Sequence, residues 1–340
     1  QASSSAASDV YKRQPYFLAI STALTKGTVS PMRAASLPIL CIIGFSHNRI
    51  NHQVSGLGGN MDEPNSAVLT VEKIPVADDT LDGFIALATI NRPSKLNALN
   101  SEVMNSLKAL CKWVELNKQI RCLVITGAAP LPPVEGKRQK PNAFVAGADI
   151  SEFVGMDSDA TRVKFTDNAV EALWSLSKPT IAMIDGFALG GGCEVACSCD
   201  IRIASSRSKF GTPEINLGLI PGYGATQRLE KLVGYGKTLE MVMTGEMIGA
   251  LEALKIGLVN HVCEHDELVD FTMTLANKIA TKSVHTLVTA KRVVKASLNN
   301  TLNDGIAIEA EEFASLFDSK DQREGVRAFM ERDKPKWRDE

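Results

Sequence analysis

Short apolar runs rich in β-branched residues alternate with segments of helical periodicity through the middle of this chain. The runs FIALATI at 84–90 and CLVITG at 122–127 predict buried strands. Between them, apolar residues recur on one helical face after Asn100 or Ser101 as the N-cap: Val103, Leu107, Leu110 and Val114. A strand, a helix and a second strand form a βαβ unit, which favours an α/β fold with a parallel sheet.

The same alternation recurs further along the chain. AFVAG at 143–147, PTIAMID at 179–185 and IRIAS at 201–205 predict three more strands, and 159–176 predicts one continuous helix. After about Thr226 the pattern is almost entirely helical, with two apolar stripes: Leu268, Phe271, Leu275 and Ile279, then Leu302, Ile306, Phe313 and Phe317. We therefore expect a strand-rich body followed by a helical C-terminal part.

The first 65 residues differ in composition from the rest of the chain. Up to Met61 this part is rich in Ser and Ala, and Asp9 is its only acid against five basic residues: Lys12, Arg13, Lys26, Arg33 and Arg49. That composition is typical of a mitochondrial targeting segment and equally of a disordered extension, which would leave a cytoplasmic location. The apolar run at 37–45 is too short to span a bilayer, so no membrane anchor is predicted.

Charge and cysteine content exclude several other classes of protein. A net charge of −2 gives no electrostatic reason to expect a nucleic acid or an anionic membrane as a partner. Seven scattered cysteines, an odd number, do not resemble a disulfide framework and favour a reducing compartment. Cys193, Cys197 and Cys199 lack the usual spacing of a zinc site, so we predict buried thiols there and no metal.

The run Gly190–Gly192 lies between a strand expected to end near Asp185 and a helix expected to begin near Cys193. A helix start presents free N–H groups, and glycine lets a ligand atom approach them. The run matches neither a P-loop nor the dinucleotide-binding glycine pattern, and Glu194 in the first turn would repel a phosphate. The helix start would keep that carboxylate ionised, so an oxyanion site beside a general base is favoured. Tight helix packing is the structural alternative.

Two further segments support this hypothesis. FVAGADISEF at 144–153 is a second corner of small residues after a strand, and could supply a second N–H donor to the same oxygen. Glu214 lies in the Gly- and Pro-rich segment 210–229, so its carboxylate could converge with that of Glu194 on one cleft. Two glutamates can hold a water between them, one accepting its proton and the other delivering a proton to carbon. An ordinary surface acid is the alternative for Glu214.

Five blocks of the sequence resemble the crotonase superfamily, most closely its enoyl-CoA hydratases. In order these are NRPSKLNAL, AFVAGADISEF, IDGFALGGGCEVACSCDIRIA, FGTPEINLGLIPGYGATQRL and ALEALKIGLVN. The resemblance extends from about Val71 to Trp337. It implies a crotonase-like core of repeated ββα units with the active site at 66–262. It also implies a helical oligomerisation region at 263–340 that forms homotrimers or dimers of trimers.

The resemblance also implies an activity and a set of site residues. Members bind acyl-CoA thioesters and stabilise an enolate oxyanion with two backbone N–H groups, which correspond to Ala148 and Gly191. Glu194 would activate water for attack at C3, and Glu214 would exchange the proton at C2. The expected reaction is reversible hydration of a 2-enoyl-CoA to a 3-hydroxyacyl-CoA, as in fatty acid β-oxidation. No cofactor is expected, because coenzyme A is part of the substrate.

Contacts to the substrate or its CoA part are expected at Lys95, Ala146, Asp149, Ile150, Gly222 and Arg332. An enoyl-CoA isomerase and a branched-chain acyl-CoA hydratase are the alternative activities, although an isomerase needs only one carboxylate. An RNA-binding member is the non-enzymatic alternative, and the helix at 101–118 lacks the basic stripe that it would need. Tyr223 and Ala225 depart from the usual PGAGGTQ, and Tyr223 is expected to narrow the acyl pocket. The Pro-rich insertion at 128–142 is a further departure.

Overall fold

The computed structural model describes residues 63–136 and 138–340, which lie in the unit Gly59–Glu340. The predicted extension at 1–65 therefore lies almost entirely outside the described residues. The described part contains these strands: β1 (Leu69–Pro75), β2 (Phe84–Ile90), β3 (Ile120–Gly127), β4 (Ala143–Val145), β5 (Thr180–Ile184), β6 (Phe187–Leu189), β7 (Ile201–Ser205), β8 (Lys209–Gly211), β9 (Ile248–Gly249) and β10 (His261–Cys263).

The helices of the described part begin with a predicted one. Asn100 caps α1, since its side chain accepts a hydrogen bond from the N–H of Val103. The helices are α1 (Ser101–Leu116), α2 (Ser158–Phe165), α3 (Ala169–Ser175), α4 (Gly191–Ser198), α5 (Ala225–Val233), α6 (Tyr235–Thr244), α7 (Ala250–Lys255), α8 (Leu268–Ala280), α9 (Val284–Ala296), α10 (Leu302–Leu316) and α11 (Lys320–Glu331). None of the helices in the described ranges is long and apolar enough to cross a membrane.

A six-stranded sheet with the order β1-β2-β3-β5-β7-β10 forms the centre of the fold. Only β1 runs antiparallel to its neighbour among the described strands of this sheet, and the other pairs are parallel. Alternate residues of β3 enter two different apolar clusters. Leu123 and Ile125 pack with α1, whereas Cys122 and Val124 pack with α8. Because helices cover both faces, the strands read as continuous apolar runs in the sequence.

A second, four-stranded sheet has the order β4-β6-β8-β9, with β4, β6 and β8 parallel. Each of the pairs β3–β4, β5–β6 and β7–β8 gives its first strand to the large sheet and its second strand to the small one. A helical segment follows each pair: α2 and α3, then α4, then a 3-10 turn at Pro213–Leu217 with α5. These are the ββα units that the resemblance implies.

The single helix predicted at 159–176 is wrong, because the segment forms two helices. α2 ends at Phe165 and α3 begins at Ala169, with Asp167 at a positive φ of 52° between them. Asn168 starts the second helix, since its side chain accepts a hydrogen bond from the N–H of Glu171. The break separates α2, which buries none of its own residues, from α3, which buries Ala169, Val170 and Leu173.

The segment around Gly190–Gly192, called the glycine corner below, also differs from the sequence prediction. A short strand, β6, lies between Asp185 and the glycines, and α4 begins at Gly191 instead of near Cys193. A strand of three residues is too short to show a periodic pattern. The C-terminal part likewise contains β9 and β10 in addition to the predicted helices.

The two predicted apolar stripes of the C-terminal part have different environments. α8 packs on the large sheet: of its predicted stripe, Leu268 is buried and Leu275 and Ile279 are partly buried, whereas Phe271 is exposed. On α10 the stripe residues are exposed within the chain: Leu302, Ile306, Phe313 and Phe317. An apolar face of this kind marks a surface that another protein surface can cover.

Candidate active site

A cavity of about 530 Å³ opens where the parallel strands β4, β6 and β8 end. Ligands bind outside the carboxyl ends of parallel strands, because the loops that follow the strands converge there. The backbone corner at Gly147 and Ala148 follows β4, the glycine corner follows β6, and Glu214 follows β8. The cavity is therefore built from the same position of three successive ββα units.

The three consecutive glycines have three different neighbours. Gly190 has a positive φ of 51°, and a Cβ there would lie 2.8 Å from Oε1 of Glu214. Glycine is required because a side chain would be strained and would displace that carboxylate. A Cβ on Gly192 would overlap the carbonyl oxygen of Val145, so Gly192 permits the close packing of α4 against β4. The packing interpretation thus holds for Gly192, and the cavity explains the other two.

Gly191 and Ala148 present neighbouring backbone N–H groups to the cavity. A Cβ on Gly191 would lie 3.6 Å from the amide nitrogen of Ala148 and 3.0 Å from Cδ1 of Leu99. Gly191 is the first residue of α4, so its N–H has no acceptor within the helix. In the described part of the chain, the amide of Ala148 donates to no protein acceptor. Two unpaired donors side by side can hold one oxygen atom that gains negative charge.

Glu194 lies one turn into α4 with only 1% of its surface exposed. Its Oε1 accepts hydrogen bonds from the amides of Tyr223, at 2.6 Å, and Ala225, at 3.1 Å. Burial, and next the carboxylate of Glu214, raise the pKa of Glu194 to about 7, although the two amides and Arg228 act in the opposite direction. The predicted effect of the helix start, which would favour the ionised carboxylate, is thus opposed by burial, and the carboxylate is only partly ionised near neutral pH. A pKa near neutrality suits a general base.

Glu214 stands on the 3-10 turn after β8, half-buried at the edge of the cavity. Its Oε2 atom is buried without a hydrogen-bond partner among the described residues. Burial raises the pKa of this carboxyl group as well. The pKa values of both carboxyl groups are raised, and both groups line one cavity. The pair therefore favours the state in which one of them holds a proton. One group can then donate a proton while the other accepts one.

Six of the ten residues predicted for the site line this cavity: Ala148, Ile150, Gly191, Glu194, Glu214 and Gly222. Lys95, Ala146 and Asp149 do not line it. They lie beside it around the loop 92–99, where the amide of Ala146 donates to Leu96 and Asp149 pairs with Arg92 at 3.0 Å. Arg332 is the C-cap residue that follows α11, and it does not line the cavity either. The catalytic pair and the two amides are thus brought together, and four of the residues expected to contact the substrate or CoA lie outside.

Sequence reasoning missed the apolar wall of the cavity. Phe165, at the end of α2, stacks on Tyr223 with 4.6 Å between ring centroids and 16° between planes. Other wall residues come from α2, the loop before it, and the segment after Glu214: Phe153, Met156, Thr161, Leu217, Leu219 and Ile220. Because α2 has no buried face, no periodicity marked its residues. The departure at Tyr223 was the one sequence signal that pointed to this wall.

The remaining candidates lie elsewhere. Cys193, Cys197 and Cys199 are buried free thiols. Within residues 63–136 and 138–340, no three metal-ligating side chains converge. The described residues of the insertion at 128–142 do not line the cavity, and Lys140 among them donates a hydrogen bond to the carbonyl of Ser94. That contact places part of the insertion against the turn that holds Lys95.

Comparison with known proteins agrees with this geometry. The family model described as enoyl-CoA hydratase/isomerase matches residues 81–340. The short-chain-enoyl-CoA hydratase of Clostridium acetobutylicum is 40% identical over 255 residues, which cover 74% of this chain and 94% of that protein. A Dictyostelium discoideum protein named "Probable enoyl-CoA hydratase, mitochondrial" is 40% identical over 259 residues, covering 75% of this chain and 88% of that protein.

A solved structure has the same fold. The crystal structure of enoyl-CoA hydratase from Bacillus anthracis superposes with a TM-score of 0.70 at 30% identity, covering 80% of this chain and all of that one. The matched region includes strands β2 to β10, Gly190–Gly192 and the two glutamates, since the family model begins at residue 81, after β1, and continues to the last residue. The chain therefore belongs to the enoyl-CoA hydratase/isomerase family.

Proposed function

We propose that this protein is an enoyl-CoA hydratase, which adds water reversibly across the 2,3 double bond of a 2-enoyl-CoA to give a 3-hydroxyacyl-CoA. One observation carries the proposal: two carboxyl groups of raised pKa and two unpaired amides line the same cavity. The activity named for the Clostridium acetobutylicum relative supports it.

The two amides would polarise the substrate. The thioester oxygen fits between the N–H groups of Ala148 and Gly191, where it accepts both hydrogen bonds. These bonds strengthen as the carbonyl becomes an enolate, so they stabilise the transition state more than the bound substrate. Withdrawal of electrons toward this oxygen makes C3 electrophilic.

The two glutamates would handle the water. Ionised Glu194 takes a proton from the water as the water oxygen forms a bond to C3. The electrons of the double bond shift through the conjugated system, and the negative charge moves to the thioester oxygen. The enolate then takes a proton at C2 from Glu214, and the thioester carbonyl reforms. One proton has moved from water to Glu194 and another from Glu214 to carbon, so a return of the proton to Glu214 restores the starting state.

Hydration is favoured over isomerisation by the second carboxyl group. Moving a double bond needs one base that shuttles a single proton, whereas this cavity holds two carboxyl groups from different ββα units. A branched-chain acyl group is an alternative substrate that the same chemistry would serve.

The protein is further proposed to act as a homo-oligomer in the mitochondrion. The exposed apolar stripe of α10 supports an assembly of several copies, in a trimer or a dimer of trimers. The basic, Ser-rich composition of residues 1–61 and the name of the Dictyostelium discoideum relative support the location.

The experiment that tests the proposed reaction is turnover of crotonyl-CoA by the purified protein. Loss of the absorbance of the conjugated enoyl thioester, with 3-hydroxybutyryl-CoA as the product, is expected. A 3-enoyl-CoA should be converted much more slowly, if at all. Rapid isomerisation without net hydration would overturn the proposal in favour of an isomerase, and faster turnover of a branched 2-enoyl-CoA would change the substrate.

A further inference from the structure

The turn that carries Tyr223 and Ala225 is held from two opposite sides. On one side, its two N–H groups donate to the carboxylate of Glu194. On the other side, the carbonyl of Tyr223 accepts a hydrogen bond of 2.6 Å from Nη1 of Arg228. Tyr223 is thus hydrogen-bonded through its C=O to the guanidinium of Arg228 and through its N–H to the carboxylate of Glu194.

Arg228 is itself fixed in one geometry. Its side chain is 10% exposed, it pairs with Glu171, and its guanidinium carbon lies 4.9 Å from the centre of the Trp174 ring. The residue belongs to α5, where its amide donates to the carbonyl of Gly224. Gly224 has a positive φ of 100°, and a Cβ there would overlap the guanidinium. A glycine at this position therefore lets the cation approach the turn.

We propose that Arg228 is a positioning residue for the hydration reaction, which fixes the carboxylate of Glu194 through the Tyr223 peptide. The inference rests on the proposed function for its consequence in turnover, whereas its effect on Glu194 is independent of what the substrate is. Arg228 lines a second cavity of about 740 Å³ instead of this one, so the proposed effect on the reaction passes through Glu194.

Several charged or titratable groups face Glu194 from the elements packed around it. They are Cys193 and Cys197 on α4, Glu214 on the 3-10 turn, Tyr223 on the turn, and Arg228 on α5. Burial and Glu214 favour the protonated carboxyl group, whereas the two amides and the positive charge of Arg228 favour the carboxylate. Removal of Arg228 takes away a positive charge and loosens the two amides that bind Glu194. Both effects raise the pKa of Glu194.

The test compares pH profiles of kcat and KM for crotonyl-CoA in three variants. In Arg228→Gln, the acidic limb of kcat should move to higher pH, kcat at pH 7 should fall about tenfold, and KM should change less than about twofold. Arg228→Lys keeps the charge and should restore most of the limb position. Lys231→Gln is the matched control, because it removes an exposed cation from the same helix, one that pairs with Glu230.

A second measurement separates this inference from the proposed function. The infrared band of the protonated Glu194 carboxyl group, assigned by its loss in Glu194→Gln, should persist to higher pH in Arg228→Gln than in the unchanged protein. A loss of kcat that is equal at every pH, with an unmoved carboxyl band in a folded variant, would overturn the role of Arg228. If the unchanged protein does not hydrate crotonyl-CoA, the proposed function fails and the infrared result still decides about Arg228.

Discussion

A Cβ atom on Gly191 would point at the amide nitrogen of Ala148, 3.6 Å away. The two residues follow different strands of the small sheet and meet because those strands are parallel neighbours. A methyl group at Gly191 would therefore lie beside the amide of Ala148, within the proposed oxyanion site. The proposed oxyanion site can therefore be tested by a single substitution at Gly191.

Gly191→Ala should lose activity without losing its fold. Its φ is not positive, and the tightest contact of the new methyl group is the flexible end of Leu99. We expect kcat to fall by about 10²–10³, the cost of losing an oxyanion donor. Circular dichroism and thermal melting should match those of the unchanged protein. Gly236→Ala, where a Cβ meets nothing within 4 Å, should keep full activity. An active Gly191→Ala would contradict the assignment of the oxyanion site.

Glu214→Gln should abolish proton delivery while leaving binding intact. Oε2 of Glu214 has no partner among the described residues, so an amide there breaks no protein hydrogen bond. We expect kcat for crotonyl-CoA hydration to fall by about 10²–10⁴, the usual contribution of a general acid. The dissociation constant of the product, measured by calorimetry, should change little. Wild-type turnover in this variant would remove Glu214 from the mechanism.

Glu194→Gln should stabilise the protein increasingly as the pH rises. The pKa of Glu194 is about 7 in the fold against 4.5 when exposed, so the unfolded chain ionises first and unfolding becomes easier between those pH values. The loss approaches about 3 kcal/mol at its upper limit. Glutamine keeps an acceptor for the amides of Tyr223 and Ala225 and never ionises. The melting temperature of the variant relative to the unchanged protein should therefore be higher at pH 8 than at pH 5.

The control for that measurement is Glu246→Gln, which changes an exposed acid. Its melting temperature should follow that of the unchanged protein at both pH values. A difference between Glu194→Gln and the unchanged protein that stays constant from pH 5 to pH 8 would show that burial does not raise the pKa of Glu194.

Tyr223→Ala should extend the range of acyl chains that the protein accepts. Tyr223 is 6% exposed and lines the cavity, and its ring stacks on Phe165, so removal of the ring opens space at the apolar wall. Each additional buried methylene contributes about 0.8 kcal/mol, or about fourfold in binding. The ratio of kcat/KM for an eight-carbon to a four-carbon enoyl-CoA should rise at least tenfold.

Tyr223→Phe is the matched control, since it keeps the ring and should keep the chain-length profile. The backbone N–H that holds Glu194 is present in both variants, so crotonyl-CoA should still turn over. A profile for Tyr223→Ala that matches that of the unchanged protein would show that this wall does not limit the acyl chain.

The sequence predicted the parts of the site that carry a residue-type signal. Glu194 and Glu214 stand out because each carboxylate follows a short strand and lies beside glycines, where regular structure would be weak. The expected strands of the large sheet were found because both faces are covered, which leaves uninterrupted apolar runs. The residues themselves indicated two small-residue corners that could share one oxygen, whereas the identity of the donors, Ala148 and Gly191, came from the resemblance, since a backbone donor can belong to almost any small residue.

Other features leave no such signal. The break between α2 and α3 occurs at Asp167 without a Gly or Pro, and Phe165 belongs to a helix that has no buried face. The hydrogen bond from the backbone N–H of Tyr223 to Glu194 does not depend on the type of side chain at position 223, so the sequence does not indicate it. The raised pKa of Glu194 follows from the depth of its burial, which only the folded chain fixes.

The split of each ββα unit between two sheets has a consequence for how this architecture can acquire new reactions. The first strand of every pair belongs to the large sheet, whereas the second ends in a segment that supplies its own groups to the cavity: Ala148 after β4, Gly191 and Glu194 after β6, and Glu214 after β8. A change in one segment therefore alters only the groups of that segment and leaves those of the other two in place. In such a repeated architecture the large sheet stabilises the fold and the loops supply the reactive groups. The reaction can therefore change through loop substitutions while the sheet stays the same.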